Sequence, residues 1–209
     1  MDHLIAAAIH DAKNSLSSLG VWLDKARSEH DSPALHHATE LAARVNAQLV
    51  ELLALHRAGE GSLRLAVADH HLADFFADLR RELPPGSDPR LQIARSDALE
   101  KLGEWAFDAY LVKFVLLDAR RNALRHAHGK VTLGAAIDGG FLRIDVEDDG
   151  PGFPEPTLQG EQGAMNAHSS GLGLSFARTI ADRHTTPDGR HGRIELSNPK
   201  GARFRLVLP

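Results

Sequence analysis

The sequence predicts an α+β protein in two parts, a helical hairpin over residues 1–60 and a mixed α/β domain over residues 61–209. Three observations predict it. Apolar residues repeat at alternating spacings of three and four through the first sixty positions; from about residue 62 the pattern breaks into short segments that switch between strand and helix periodicity; and clusters of Gly, Pro, Asp and Ser punctuate those segments.

The 209 residues, 43% of them hydrophobic, suffice for a packed core. No apolar run reaches the roughly 18 to 20 residues of a membrane span, and "MDHLIAAAIHD" lacks the basic lead and long apolar segment of a signal peptide. The expectation is a cytoplasmic chain without membrane insertion. With no cysteine there are no disulfides, thiolate metal sites or cysteine nucleophiles. A net charge of −4 gives no reason to expect nucleic-acid binding.

Ile5, Ile9, Ala12, Leu16, Leu19, Leu23 and Ala26 form a heptad seam, and Leu35, Ala38, Ala42, Val45, Leu49 and Leu52 form a second. Between them "SEHDSP" offers Asp31 or Ser32 as a cap and Pro33 as a first helical residue. The short connection predicts an antiparallel hairpin. Two helices leave much apolar seam uncovered, so pairing with a second copy into a four-helix bundle, a homodimer, is expected. On the first helix, "IHDAKNSL" places His10 one position beyond the seam and Asn14 one turn further on the same outward face. One histidine among thirteen on a solvated face is ordinarily incidental, and its meaning depends on the rest of the chain.

In the second part, "SLRLAVA" alternates like a strand, "DHHLADFFADLRREL" reads as a helix capped by Asp69, and "LQIAR" follows the loop "PPGSDP". "DAYLVKFVLLDARRNALRHA" is apolar on all sides, which predicts a buried helix, yet it carries Asp118, Asn122 and Arg125 at one-turn spacing. Buried polar groups need partners. "KVTLGAAI" and "FLRIDVED" flank "DGG", a hairpin signal, and lead into "DDGPGF". "SSGLGLSFARTIADRH" opens a helix with glycines, and "GRIELSNPKGARFRLVLP" supplies a closing hairpin. The paired histidines at 36–37 and 70–71 read as surface residues rather than metal ligands.

These segments together resemble the catalytic core of a two-component sensor histidine kinase: a dimerisation and phosphoacceptor hairpin followed by a Bergerat-type α/β sandwich that binds ATP. "HDAKNSL" resembles the phosphoacceptor box, "DARRNALRHA" the asparagine box, "DDGPG" the first glycine box and "SSGLGLSFA" the second, in the family's order. A lone "DGPG" or "GLGL" is far less specific.

The resemblance implies roles that elementary chemistry makes intelligible. A triphosphate carries about four negative charges and calls for a divalent metal, cationic side chains and backbone N–H groups exposed by glycine. By resemblance Asn122 holds Mg²⁺ and Arg125 reaches the phosphates; Asp118, one turn before Asn122 on the same face, is expected to organise the magnesium. Asp148 accepts the adenine amino hydrogen, Gly150 and Gly152 turn beneath the base, and Gly171, Gly173 and Leu174 open the phosphate-facing helix. The segment from Phe153 to Ser169, rich in Gly and Pro, corresponds to a lid over the nucleotide. His10 becomes the acceptor of the γ-phosphoryl group, Asp11 the acid that orients the imidazole and takes its proton, and Asn14 the residue that holds water for phosphatase chemistry. The implied partners are a response regulator receiver domain and a sensor, in a separate protein or in a longer version of this chain.

Three residues depart from the family pattern: Ser15 for a proline that kinks the helix, Ser169 for the first glycine of the second box, and Asp118 for an asparagine. The resemblance implies a kinase that autophosphorylates His10 and passes the group to an aspartate. The alternatives are a phosphotransfer protein whose degenerate ATP domain only docks, and a Bergerat-fold kinase acting on a partner's serine.

Overall fold

The computed structural model describes residues 2–29, 32–81, 90–93, 99–160 and 172–209, with side-chain surroundings in the first helix described from residue 12 onward. The chain divides into two compact units, Met1–Leu63 and Arg64–Pro209, a few residues beyond the boundary expected from the sequence.

The first unit is the expected hairpin. Helix α1 runs from Asp2 to Glu29 without interruption through Ser15, and α2 from Pro33 to Gly59 packs against it. Ser32 caps α2 by accepting from the Leu35 N–H at 3.2 Å, with Pro33 at the first turn; the alternative cap, Asp31, lies outside the described residues. Apolar burial on α2 falls on Ala42, Ala47, Val50, Leu53 and Ala54, with Glu51 buried beside them. The expected seams are thus only partly covered, since Leu19 and Leu52 remain 46% and 42% exposed, with Trp22 and Leu41 at 66% and 49%.

The second unit has two layers. A five-stranded sheet has the order β2-β4-β5-β7-β6, where β2 is Leu91–Ile93, β4 Val131–Asp138, β5 Phe141–Asp148, β6 Arg193–Ser197 and β7 Arg203–Leu208. β2 and β4 run parallel and the other pairs are antiparallel. Period-two alternation gives the sheet its two faces. Leu142, Ile144 and Val146 of β5 pair with Leu208, Leu206 and Phe204 of β7 on a buried face. The intervening residues make the opposite face a ladder of ion pairs, with Arg205 bidentate on Asp145 at 2.6 and 2.8 Å and Arg203 on Glu147 at 2.6 Å. The β4–β5 connection is the two-residue turn Gly139–Gly140, both with positive φ, as "DGG" predicted.

Helices α4 (Ala109–His126) and α6 (Leu172–Arg183) cover the apolar face, burying Val112, Val115 and Leu116 from one and Phe176, Ile180 and Ala181 from the other. Helix α4 is one-sided rather than buried all round: Tyr110 is 52% exposed, and Asn122 and Arg125 lie on the surface. A small sheet of β1 (Ala68–His71) and β3 (Glu104–Phe107) stands beside α3 (Leu72–Arg81), whose Phe75 meets Phe76 and Phe107 edge to face.

Two sequence expectations are corrected here. Residues 62–67 form no strand, because the Ala66 N–H bonds to the Asp108 carboxylate at 2.8 Å instead of a strand partner. Asp69 is not a helix cap: it sits in β1 opposite Ala106, and α3 begins at Leu72, whose N–H bonds to Gly103 O. His70 and His71 are therefore strand residues, His70 packed on the Phe107 ring and His71 4.0 Å from Glu100. Among the described residues no helix is long and apolar enough to cross a membrane.

Candidate nucleotide-binding site

Stretches from three separate motifs are joined along α4, the start of α6 at Asp118 and the turn after β5 at His126. The first is α4, fixed at its N-terminus by Asp108, only 4% exposed. Its Oδ1 accepts from Leu111 N–H at 2.9 Å and its Oδ2 from Ala66 N–H, so both oxygens of a buried carboxylate are satisfied. The Asp108 N–H donates to His184 Nε2 at 2.9 Å, which fixes the tautomer: Nδ1 carries the proton and donates to Ile180 O at 2.8 Å. Burial pulls the His184 pKa below the ordinary histidine value, against the opposing effects of the Ile180 carbonyl and the Asp108 charge. The sequence signalled neither residue, since their contact spans 76 positions.

Along α4, Asp118 Oδ1 is paired with Arg121 at 2.6 Å and Oδ2 accepts from Asn122 Nδ2 at 3.3 Å. Because Asn122 turns its amide nitrogen toward Asp118, its carbonyl oxygen is directed elsewhere and remains an acceptor. One amide oxygen beside one carboxylate is a hard-oxygen pair of the kind magnesium takes when phosphates and water complete its shell. Among the described residues no cluster of three or more His, Cys, Asp or Glu could hold a metal by itself. The donor set fits a metal that arrives with a phosphate ligand.

The second stretch is the turn after β5. Asp148 Oδ1 accepts from Gly150 N–H at 2.8 Å and Ala202 N–H at 3.3 Å, both ties using one oxygen. Gly150 passes so close to the His126 carbonyl at the end of α4 that a Cβ would collide with it. Gly152 has φ +85°, and the Asn198 amide occupies the space where its Cβ would lie. Asp149, absent from the sequence-based site, accepts from the N–H groups of His128, Gly129 and Lys130 at 2.9 to 3.1 Å. Those bonds, led by Gly129 and Lys130, hold its pKa below the usual carboxylate value. Asp149 thereby ties the loop after α4 to the glycine turn.

The third stretch is the start of α6, where the Asp118 carboxylate fills the Cβ position of Gly173. The sequence assigned this glycine to phosphate binding; its location shows a packing requirement as well. Leu174 lies in the same turn, partly buried, and Gly171 lies outside the described residues together with Ser169 and the lid residues 161–169. Residues 153–160 of that segment contain one helical turn, α5 (Glu155–Leu158). In the other unit, His10 and Asp11 belong to α1 but their side chains lie outside the described residues, and Asn14 is exposed.

Residues 107–209 match the family described as histidine kinase-, DNA gyrase B-, and HSP90-like ATPase. Across 99% of its length the chain is 29% identical to the sensor protein KdpD of Escherichia coli K12 and 28% identical to the sensory histidine kinase/phosphatase NtrB of Klebsiella oxytoca. It spans 24% and 61% of their respective lengths. In fold it is similar to the Acinetobacter baumannii histidine kinase AdeS, with a TM-score of 0.60 at 17% identity over 93% of this chain and 95% of that one. It is also similar to full-length ShkA in complex with AMPPNP, with a TM-score of 0.63 at 18% identity over all of this chain and 46% of that one. The chain resembles the catalytic core of a two-component sensor kinase throughout its length.

Proposed function

We propose that this chain is the catalytic core of a histidine protein kinase, acting as a homodimer, that uses Mg²⁺ and ATP to phosphorylate His10. The observation that carries the reading is the convergence of three separated motifs on α4, where Gly173 lies against the Asp118 carboxylate, Asn122 bonds to that carboxylate and Gly150 lies against the His126 carbonyl. A docking scaffold has no physical need for that convergence.

In this reading Asp148 holds the adenine amino group through Oδ2, the oxygen that neither backbone tie uses. Asn122 and Asp118 hold the magnesium that accompanies the triphosphate, and Arg125 pairs with a phosphate. Bound there, the ion supplies neutralisation of charge on the phosphate oxygens. The neutral His10 imidazole attacks the γ-phosphorus: an N–P bond forms, the bond to the β-phosphate oxygen breaks, ADP leaves, and Asp11 takes the imidazole proton. The phosphoryl group then passes to an aspartate carboxylate of a response regulator, and Asn14 positions the water that later hydrolyses this phosphoaspartate to aspartate and inorganic phosphate. The exposed Leu19, Trp22, Leu41 and Leu52 support a dimer, because they offer apolar surface on both helices of the hairpin.

Incubating the purified chain with magnesium and γ-labelled ATP, then splitting the sample between acid and alkali, tests this. Label lost in acid and kept in alkali supports phosphohistidine. Acid-stable label supports a serine kinase, and no label supports the phosphotransfer scaffold.

A further inference from the structure

The turn between β6 and β7 grips the first glycine motif at both of its ends. At the start, Ala202 N–H donates to Asp148 Oδ1 and Asp148 N–H returns a bond to Ala202 O at 2.9 Å. Gly201 lies against the Asp148 carbonyl, so that a Cβ there would collide with it. At the far end, one side chain makes the connection. Asn198 Oδ1 accepts from Phe153 N–H at 2.8 Å while Asn198 Nδ2 donates to Phe153 O at 2.9 Å. This is the two-bond pattern by which one strand residue meets another, supplied here by an amide side chain. The same amide lies 2.7 to 2.8 Å from the position of a Cβ at Gly152, whose φ is +85°.

We infer that Asn198 is a positioning residue for the nucleotide: by clamping Phe153 it fixes the Gly150–Gly152 turn and hence the carboxylate of Asp148. This rests on the ATP reading of that motif. The turn contains two glycines and a proline, and its peptide groups from Asp149 to Gly152 lie outside any strand. Without Asn198 the far end loses both of these hydrogen bonds, 45 residues apart in sequence. The turn then samples more conformations, and a ligand pays the ordering entropy on binding. Asn198 itself is exposed and belongs to no core cluster, so its loss should spare the fold.

The test is titration of the full chain with ATP and with ADP, by calorimetry, for wild type, Asn198→Ala and Asn198→Asp. Asn198→Ala should weaken both nucleotides by the same factor of about ten, equivalent to about 1.4 kcal/mol, with melting temperature shifted by no more than a few degrees. The equality matters because the clamp acts on the base side and is blind to the γ-phosphate. Asn198→Asp keeps the acceptor for Phe153 N–H and loses the donor, so it should fall between the two. Unchanged affinity in Asn198→Ala, or a loss confined to ATP, overturns the inference while leaving the ATP reading intact. Should Asn198→Ala fold poorly, the Asn198→Asp affinities decide by the same criterion. A wild type that binds neither nucleotide defeats the ATP reading itself.

Discussion

The carboxylate of Asp118 occupies the place a side chain at Gly173 would take, joining the middle of α4 to the first turn of α6. The same two helices meet again where the Asp108 N–H bonds to His184 Nε2, ten residues back along α4 and eleven further along α6. The helices are antiparallel and pinned about 15 Å apart along their length. One pin lies among the motif residues and the other lies far from them.

Gly173→Ala should therefore be disruptive. A methyl group there displaces Asp118, at an overpacking cost of about 1–3 kcal/mol, and lowers the melting temperature. Asp118→Ala removes the obstruction, so the double variant should melt above the value expected from adding the two single losses. Strict additivity in thermal melts contradicts the contact.

Asp118→Asn keeps the shape but removes the charge that pairs with Arg121 and leaves one acceptor oxygen where the carboxylate has two. Autophosphorylation should stay within about tenfold, about 1.4 kcal/mol in barrier, and the magnesium requirement should rise. A loss of several orders of magnitude at saturating magnesium, with nucleotide binding intact, makes Asp118 the catalytic base in place of Asp11.

The buried His184 gives a pH dependence of defined sign. Its folded pKa lies below that of the unfolded chain, so at acidic pH the unfolded state binds the additional proton. Stability is fully present above the unfolded histidine value of about 6.5 and declines as pH falls through it. His184→Gln keeps an acceptor for the Asp108 N–H and has nothing to protonate. Melting temperatures of wild type and variant should converge between pH 7.5 and about pH 5.5. A constant difference across that range excludes His184 as the titrating group.

The dimer prediction follows from seam residues that stay at the surface of the single chain. Leu19→Glu with Leu52→Glu alters two residues already exposed in the single chain, so the hairpin fold should survive while association is lost. Light scattering at micromolar concentration checks it: a dimeric wild type and a monomeric variant are expected, and a wild type already monomeric contradicts the proposal.

What was legible in the sequence were features written locally. "DGG" between alternating apolar runs specified the β4–β5 turn, Ser32 and Pro33 specified the start of α2, and one-turn spacing put Asp118, Asn122 and Arg125 on one helix. What was not legible depends on partners far along the chain. Asp149 meets residues about 20 positions away, Asn198 meets Phe153 across 45, and Asp108 meets His184 across 76. Residues 62–67 alternate like a strand, but alternation records only which side chains are apolar, and the Ala66 N–H had already been taken by Asp108. The helix expected from Asp69 failed for a similar reason: β3 offered Asp69, His70 and His71 a partner strand that local propensity does not reveal.

The central claim, transfer of phosphate from ATP to His10, is tested most directly by comparing the wild-type chain with His10→Ala in γ-labelled ATP and magnesium, alongside a nucleotide-binding titration of both. The account predicts acid-labile label on the wild type, none on His10→Ala, and equal ATP affinity for the two. Label retained by His10→Ala would contradict it.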